Sequence, residues 1–440
     1  MVAALKVGLA GLGTVGASVV RLIERQREEL EARCGRPIEV AAVTARSRSK
    51  RRDLDLSRFR WVADAVALAG DREIDVFVEV IGGESDPAKR AVEAALAAGK
   101  SVVTANKALL ARHGVALAAL AEQHHVALNF EAAVAGGIPI VKTLREGLVG
   151  NSLARIYGIL NGTCNYILTR MERENLSFAQ SLEEAQRLGY AEADPSFDIE
   201  GHDTAQKLAI LASLAFGTRV DPGAVYVEGI ASITPEDLRA ADDLGYRIKL
   251  LGVAVKTENG IEQRVHPTMV PKGSAIAQVM GVTNAVTVDA DAVREITLVG
   301  PGAGGEATAS AVVSDIADIA RGVRTAPFGR PSARLASVEK APMQRHEGGY
   351  YIRMLAVDKP GTAARIATCF AEESISLESI MQRHFGPRPL GGEDPSAARP
   401  VPVILITYAT TEDAVRRALA KVEAERVIEG KPQLIRIEKT

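Results

Sequence analysis

The sequence predicts an α/β protein in three parts: an N-terminal doubly wound parallel sheet, a central α+β domain and a C-terminal ferredoxin-like unit. Three observations predict this. Strand-length apolar runs alternate with amphipathic helices through residues 1–135, the pattern of βαβ units. A glycine-rich turn, GLGTVG, joins the first strand to the first helix. The last segment, residues 349–440, reads βαββαβ, the ferredoxin-like order.

The elements follow in order. LKVGLA (5–10) is a buried strand, and ASVVRLIERQREELEARC (17–34) reads as one long helix. IEVAAVTA (38–45), IDVFVEVIG (74–82) and SVVTA (101–105) are further strands, with a helix through AKRAVEAALAAG before the last. The central domain, 136–304, opens with a helix over Pro139–Leu148 and a strand at 154–160. Strands at 246–257, 262–270 and 284–290 follow. A helix in 305–323 is expected to return to the first domain. Residues 324–348, rich in Pro, Arg and Gly, read as a linker. Beyond it come strand 350–357, the turn DKPG with a helix, strand SLESIMQR, strand 401–409, helix 411–424 and strand 433–438.

The chain has 440 residues, 47% apolar and 25% charged, with a formal charge of −2. That is ordinary globular composition, with no basic excess to suggest nucleic acid or an anionic membrane as partner. Cys34, Cys164 and Cys369 are far apart and lack metal spacing, which suits a reducing compartment. The N-terminus shows no leader pattern, and no apolar run reaches membrane-span length. A cytoplasmic protein is expected. His113, His124, His125 and His202 have no metal-type partner at fixed spacing.

Gly11, Gly13 and Gly16 form G-x-G-x-x-G between strand and helix. The first glycine permits a tight turn, the second lets a pyrophosphate approach, and the third lets helix and strand pack closely. Phosphates then face the helix N-terminus, beside Thr14 and Val15. This is a Rossmann-type dinucleotide site. The second strand ends TARSRSKRR, and the first acid after it is Asp53. Arg46, Arg48 and Lys50 could therefore meet a 2′-phosphate, which predicts NADP, with NAD possible.

LGYAEADPSFDIEGHDTAQKLAIL (188–211) carries Glu192, Asp194, Asp198 and Asp203 before Lys207. On a 3.6-residue period Asp203 and Lys207 share the stripe of Leu211 and Leu214. A charged pair on an apolar stripe is costly to bury unless the charges are paired or used.

With these pieces placed, the chain resembles homoserine dehydrogenase in the form that carries a C-terminal ACT domain. The resemblance rests on GLGTVG (11–16), TANKALLARHG (104–114), EAAVAGGIPI (131–140), ILNGTCNYIL (159–168), residues 188–211 and GPGAGGEATASAVVSDI (300–316). It implies reversible, NAD(P)H-dependent reduction of L-aspartate 4-semialdehyde to L-homoserine, on the route to threonine, methionine and isoleucine. No kinase-like segment precedes the glycine loop, so a monofunctional enzyme is expected.

By resemblance, Glu192 and Asp198 bind the amino end of the substrate, and Asp203, Lys207 and Lys107 stand at the reacting centre. Asn161, Gly162 and Thr163 of NGTCNY line the substrate cleft. Thr104, Ala105 and Lys107 lie beside the nicotinamide, and Gly302 approaches the cofactor. A lysine can stabilise the charge that develops on a reduced aldehyde oxygen and supply its proton. Which lysine does so stays open; the preferred assignment is Lys207 as donor, with Lys107 as electrostatic partner. The resemblance also implies a monovalent cation, sodium, held by Glu131 and by carbonyls at Val134, Gly136 and Ile138. In the ACT domain, the DKPG turn with Asp358 and Gly361 would receive an amino-acid effector, L-threonine. A homodimer or tetramer is expected. The alternatives are a Rossmann dehydrogenase for another small aldehyde and a non-catalytic amino-acid sensor.

Overall fold

The structure, a computed structural model, describes residues 2–50, 52, 54–337, 340–343, 346–382 and 400–438. The N-terminal part runs β1 (Leu5–Ala10), α1 (Thr14–Arg25), α2 (Arg27–Cys34), β2 (Ile38–Thr44), β3 (Arg60–Trp61) and α3 (Ala65–Gly70). It continues with β4 (Val76–Glu79), α4 (Ala88–Ala97), β5 (Ser101–Thr104), α5 (Lys107–Gln123) and β6 (Leu128–Asn129). Its six strands are all parallel, in the order β3-β2-β1-β4-β5-β6. Helices cover both faces of such a sheet, so a strand like β4 is buried at every residue. The order reverses between β1 and β4, and the crevice above that point is where doubly wound sheets bind ligands.

The helix expected over 17–34 divides at Gln26, whose φ of −105° and ψ of 17° end α1. The physical reason is composition: α1 buries Val19, Val20 and Ile23, whereas α2 has no buried residue.

The middle part begins with α6 (Ile140–Lys142), which continues as one wide π-type turn over Thr143–Gly147. This replaces the regular helix expected over 139–148. Next come β7 (Leu153–Ile159), α7 (Gly162–Glu174), α8 (Phe178–Arg187), α9 (Ser196–Ile199), α10 (His202–Phe216), β8 (Tyr226–Val227) and α11 (Pro235–Asp243). Then follow β9 (Tyr246–Thr257), β10 (Gly260–Pro271), β11 (Thr283–Ala290), β12 (Arg294–Pro301) and α12 (Gly305–Ala320). Helix α12 lies against α1, so close that a Cβ on Gly305 would stand 2.7 Å from Ser18 Oγ. Val312, Val313 and Ile316 of α12 share a core with Val19, Val20 and Ile23; each such side chain fully buried contributes about 1.5–3 kcal/mol.

The last part is β13 (Glu347–Val357), α13 (Thr362–Glu372), β14 (Leu377–Gln382), β15 (Pro400–Thr407), β16 (Thr410–Thr411), α14 (Glu412–Ala424) and β17 (Ile428–Ile437). Its strands lie in the order β17-β13-β15-β14, the ferredoxin-like arrangement. This sheet is continuous with that of the middle domain: β17 pairs with β10 in parallel, giving one mixed sheet β12-β11-β7-β9-β10-β17-β13-β15-β14. Asp237 of α11, wholly buried, adds a lock by accepting from Arg353 Nε and Nη2 at 2.6 and 3.0 Å and from the Tyr351 hydroxyl at 3.0 Å.

The stretch before β13, expected to be a linker, is packed where it is described. Phe328 is buried against Phe130, ring centroids 5.2 Å apart. Ser332 donates to the Glu122 carboxylate on α5, and Thr218 and Ala336 form a parallel bridge. Proline and arginine content signalled irregular backbone, and two buried side chains, Phe328 and Leu335, hold it down.

Candidate active site

The glycine turn after β1 has the geometry its spacing predicts. Gly11 sits at φ +105°, and a Cβ there would stand 2.5 Å from the Val80 carbonyl oxygen. A Cβ on Gly16 would meet the Gly11 carbonyl oxygen at 2.0 Å, so helix and loop touch directly. At Gly13, the cap residue of α1, a Cβ would find nothing within 4 Å. Two glycines thus serve packing, and the third leaves open space in front of the helix N-terminus, as an anion requires.

Thr44, Ala45, Arg46, Ser47 and Lys50 extend this space along the end of β2 into a cleft of about 530 Å³. Arg48 places its guanidinium over the Trp61 ring, 5.8 Å from its centroid. Asp53 lies outside the described residues. Arg52 was not singled out by the sequence, yet it fixes this basic loop. It donates to the carbonyls of Leu12, Lys50 and Ser47 at 3.0, 2.8 and 2.8 Å, tying the loop to the glycine turn.

Beyond the glycine turn, Val15, Ala105, Lys107, Gly136, Lys207 and Gly302 line a second cleft of about 260 Å³. Its floor depends on Glu79, fully buried at the end of β4 and also missed from sequence. Glu79 accepts from the backbone N–H groups of Ile81 and Gly82 at 2.8 and 3.0 Å and from the Thr104 hydroxyl at 2.6 Å. A lone acid inside the apolar run VFVEV was the available signal. Asn106 caps α5 through the Leu109 N–H and donates to Gly83 O at 2.7 Å, which places Lys107 on the first turn of that helix. A cation is poorly matched to the positive end of a helix dipole, and a carboxylate stands opposite it.

That carboxylate is Asp203, on the first turn of α10. Its Oδ2 accepts from Lys207 Nζ at 2.8 Å, and its Oδ1 stands 3.3 Å from Lys107 Nζ. Lys207 also donates to Leu160 O at 2.8 Å. Asp203 is 4% exposed. Burial alone would raise its carboxyl, but Lys207 and then Lys107 beside it, with their hydrogen bonds, hold it down to about 2. It is therefore a fixed anion at neutral pH, shared by two lysines from different elements.

Asn161, the cap of α7, donates from Nδ2 to both Asp203 Oδ2 (2.8 Å) and Asp198 Oδ1 (2.7 Å). Burial, then repulsion from Asp203, pushes the Asp198 carboxyl above its ordinary range. The Thr163 hydroxyl donates to Tyr190 O at 2.6 Å, and Gly162 is kept bare because a Cβ would meet Val282 O at 2.7 Å. Glu192 lies exposed in the loop before α9. Cys164, under this cluster, is fully buried, and burial drives its thiol well above the ordinary value.

The loop 131–138 closes the far side. Glu131 accepts the Val141 and Lys142 N–H groups at 2.8 Å each, capping α6, and its own N–H donates to Asp315 at 2.8 Å. Burial, then the Asp315 charge, raises its carboxyl to about 7. Val134 and Ile138 are buried, Ile138 O accepts from Ile140 N–H, and Gly136 (φ +49°) packs its backbone on Gly302. In the C-terminal unit Gly361 caps α13 at φ +90°, and Asp358 accepts from Gln382 Nε2 at 3.3 Å; both are exposed.

Comparison with known proteins agrees with this geometry. The homoserine dehydrogenase NAD-binding domain matches residues 11–131, and the homoserine dehydrogenase family matches residues 139–317. A homoserine dehydrogenase from Neisseria gonorrhoeae is 44% identical, with 98% of each chain covered. The crystal structure of one from Thiobacillus denitrificans is 44% identical and superposes with a TM-score of 0.91, covering 99% of this chain and 98% of that one. A hyperthermophilic archaeal homoserine dehydrogenase in complex with NADPH is 27% identical, with a TM-score of 0.61 over 72% of this chain and 97% of that one. The parallel sheet with its bare glycine turn, and the carboxylate clasped by two lysines at its mouth, thus stand in a chain that these matches place: it belongs to the homoserine dehydrogenase family.

Proposed function

We propose that this dehydrogenase reduces L-aspartate 4-semialdehyde to L-homoserine reversibly, in threonine, methionine and isoleucine formation, and prefers NADPH. The observation that carries the proposal is the Lys207–Asp203–Lys107 cluster, whose lysines line one cleft with Ala105 and Gly302. When bound, the dinucleotide supplies the hydride to the aldehyde carbon. Lys207 gives its proton to the aldehyde oxygen as the C–H bond forms, and Lys107 stabilises the negative charge developing there. Asp203 orients both lysines, Asp198 and Glu192 receive the substrate ammonium, and Asn161, Gly162 and Thr163 shape the cleft. Arg46, Arg48 and Lys50 are assigned to the 2′-phosphate, a preference supported by the NADPH-bound relative. Lys207→Ala should lower kcat by about a hundredfold or more, and a loss under about tenfold would refute the donor role. Arg46→Ala and Lys50→Ala should each raise KM for NADP about tenfold or more and leave NAD nearly unchanged.

The cation site fits in part. Glu131, Val134, Gly136 and Ile138 offer only oxygen, as a hard cation requires, and Glu131 keeps one lone pair on each carboxylate oxygen after its two N–H bonds. Sodium would there hold the loop against Gly302 and bring the Glu131 carboxyl back down. We further propose a homodimer or tetramer, and regulation by an amino acid, L-threonine, through the ferredoxin-like unit read as an ACT domain with Asp358 and Gly361 at its ligand turn.

A further inference from the structure

We propose that Glu79 is a positioning residue for Lys107: its carboxylate ties the loop after β4, on the cofactor side of the cleft, to the helix start that carries this lysine. This role rests on Lys107 acting at the reacting centre, as proposed above.

Glu79 and Thr104 are register partners at the ends of β4 and β5, and both are wholly buried. The two strands already pair through Val76–Ser101, Phe77–Val102 and Val78–Val103, so the sheet needs no carboxylate to hold it. A carboxylate here is costly, because its partners are two backbone N–H groups and a hydroxyl, and none of the three carries a positive charge. An apolar side chain would fill the same space without that cost. What the carboxylate adds is direction.

Its two oxygens serve different walls of one cleft. Oε1 accepts from Ile81 N–H and Gly82 N–H. Gly82 and Gly83 stand at φ +88° and +86°, and this double left-handed step turns the chain back onto the carboxylate. Oε2 accepts from the Thr104 hydroxyl, whose oxygen in turn accepts from Asn106 N–H at 3.0 Å. Asn106 holds the start of α5 through Leu109 N–H and returns to the loop through Gly83 O. The path closes on itself, so residues 79–83 and 104–109 are joined at both ends. Ile81 and Gly82 on one side, and Ala105, Asn106 and Lys107 on the other, line the same cleft.

Lys107 needs such a hold. It stands on the first turn of α5, where the helix dipole disfavours a cation. Its side chain is a third exposed, and its Nζ reaches Asp203 at 3.3 Å, against 2.8 Å for the better buried Lys207. A shift of the helix start would therefore lengthen the Lys107 contact first. A misplacement of about 1 Å at a reacting centre can cost about a hundredfold in rate.

The test uses the full-length protein, with L-homoserine saturating, NADP varied through its KM, and the Kd for NADPH from calorimetry. The variants are Glu79→Gln, Glu79→Ala, Lys107→Ala, and Glu79→Gln combined with Lys107→Ala. In Glu79→Gln the amide oxygen still serves the two loop N–H groups, while the amide nitrogen leaves the Thr104 proton without an acceptor. This variant should keep the NADPH Kd within about twofold and lose kcat about tenfold or more. Glu79→Ala loses both arms and should also weaken NADPH about tenfold. Because Glu79 acts through Lys107, the double variant should turn over within about twofold of Lys107→Ala alone, whereas a general structural loss would multiply with that of the lysine. Losses that multiply, or Glu79→Gln at wild-type kcat beside a slow Lys107→Ala, overturn the proposal alone. Lys107→Ala at wild-type kcat overturns it together with the reading of Lys107. If circular dichroism shows Glu79→Gln unfolded, Thr104→Val, which replaces the relaying hydroxyl by a methyl group, takes its place in the same comparison.

Discussion

Asp203→Asn removes one charge and almost no volume, so it isolates the electrostatic contribution of the cluster. Asp203 faces Lys207 Nζ at 2.8 Å and Lys107 Nζ at 3.3 Å. At an effective dielectric of about 20, charge pairs at these separations are worth about 6 and about 5 kcal/mol before desolvation. Lys107 is a third exposed, which screens its pair, and burying Asp203 costs part of the remainder. Breaking a buried pair of this kind costs about 3–5 kcal/mol in practice. If about 3 kcal/mol of that is felt between bound substrate and transition state, kcat falls about 150-fold, since about 1.4 kcal/mol is a factor of ten. The assay is homoserine-dependent reduction of NADP followed at 340 nm, with circular dichroism to show that the variant is folded. A kcat within about tenfold of wild type, from folded protein, would refute the claim that this carboxylate organises the lysines.

Three further outcomes are expected. Gly13→Ala should keep the wild-type Tm and lose cofactor affinity, because a Cβ there meets nothing of the protein, whereas Gly16→Ala should lower Tm, because its Cβ would strike the Gly11 carbonyl; equal thermal effects would contradict this. Asp237→Ala leaves Arg353 without its buried partner and should cost about 3–5 kcal/mol in denaturant unfolding; a change below about 1 kcal/mol would show that the lock between the two parts is weak. Glu131 has a folded carboxyl raised to about 7. Its contribution is therefore fully present below the unfolded value near 4.5 and is lost as pH rises through about 7. In buffer free of sodium and other alkali cations, Glu131→Gln should remove up to about 3 kcal/mol of that decline, and identical pH slopes in both proteins would refute the assignment.

Patterned burial was the part of the fold most legible in the sequence. Strands β1, β2 and β9 fall within a residue of their apolar runs because a period of two, or an unbroken apolar stretch bounded by turns, has few other solutions. The division at Gln26 was hidden because Arg27–Cys34 is rich in good helix formers although nothing there is buried. The joining of the two sheets through β10 and β17 involves residues 168 positions apart, as Thr268 and Arg436 show, and local pattern carries no sign of it. Within the candidate site, Asp203 and Lys207 were legible because i and i+4 share a helix face. Glu79 and Arg52 act through backbone groups of loops whose course only the fold fixes, so Arg52 carried no mark in the sequence and Glu79 only that of a lone acid in an apolar run. Arg48 was legible as part of a basic run, but the place of its guanidinium over Trp61 was not, since that contact joins the end of β2 to β3.

The central claim is tested most directly by the turnover of L-homoserine, at saturating concentration, by the purified protein with NADP and with NAD, each varied through its KM. The account predicts turnover with both and a clearly higher kcat/KM for NADP. Equal or better kcat/KM with NAD would contradict the assignment of the Arg46–Lys50 loop, and no turnover with either, from folded protein, would contradict the proposed reaction itself.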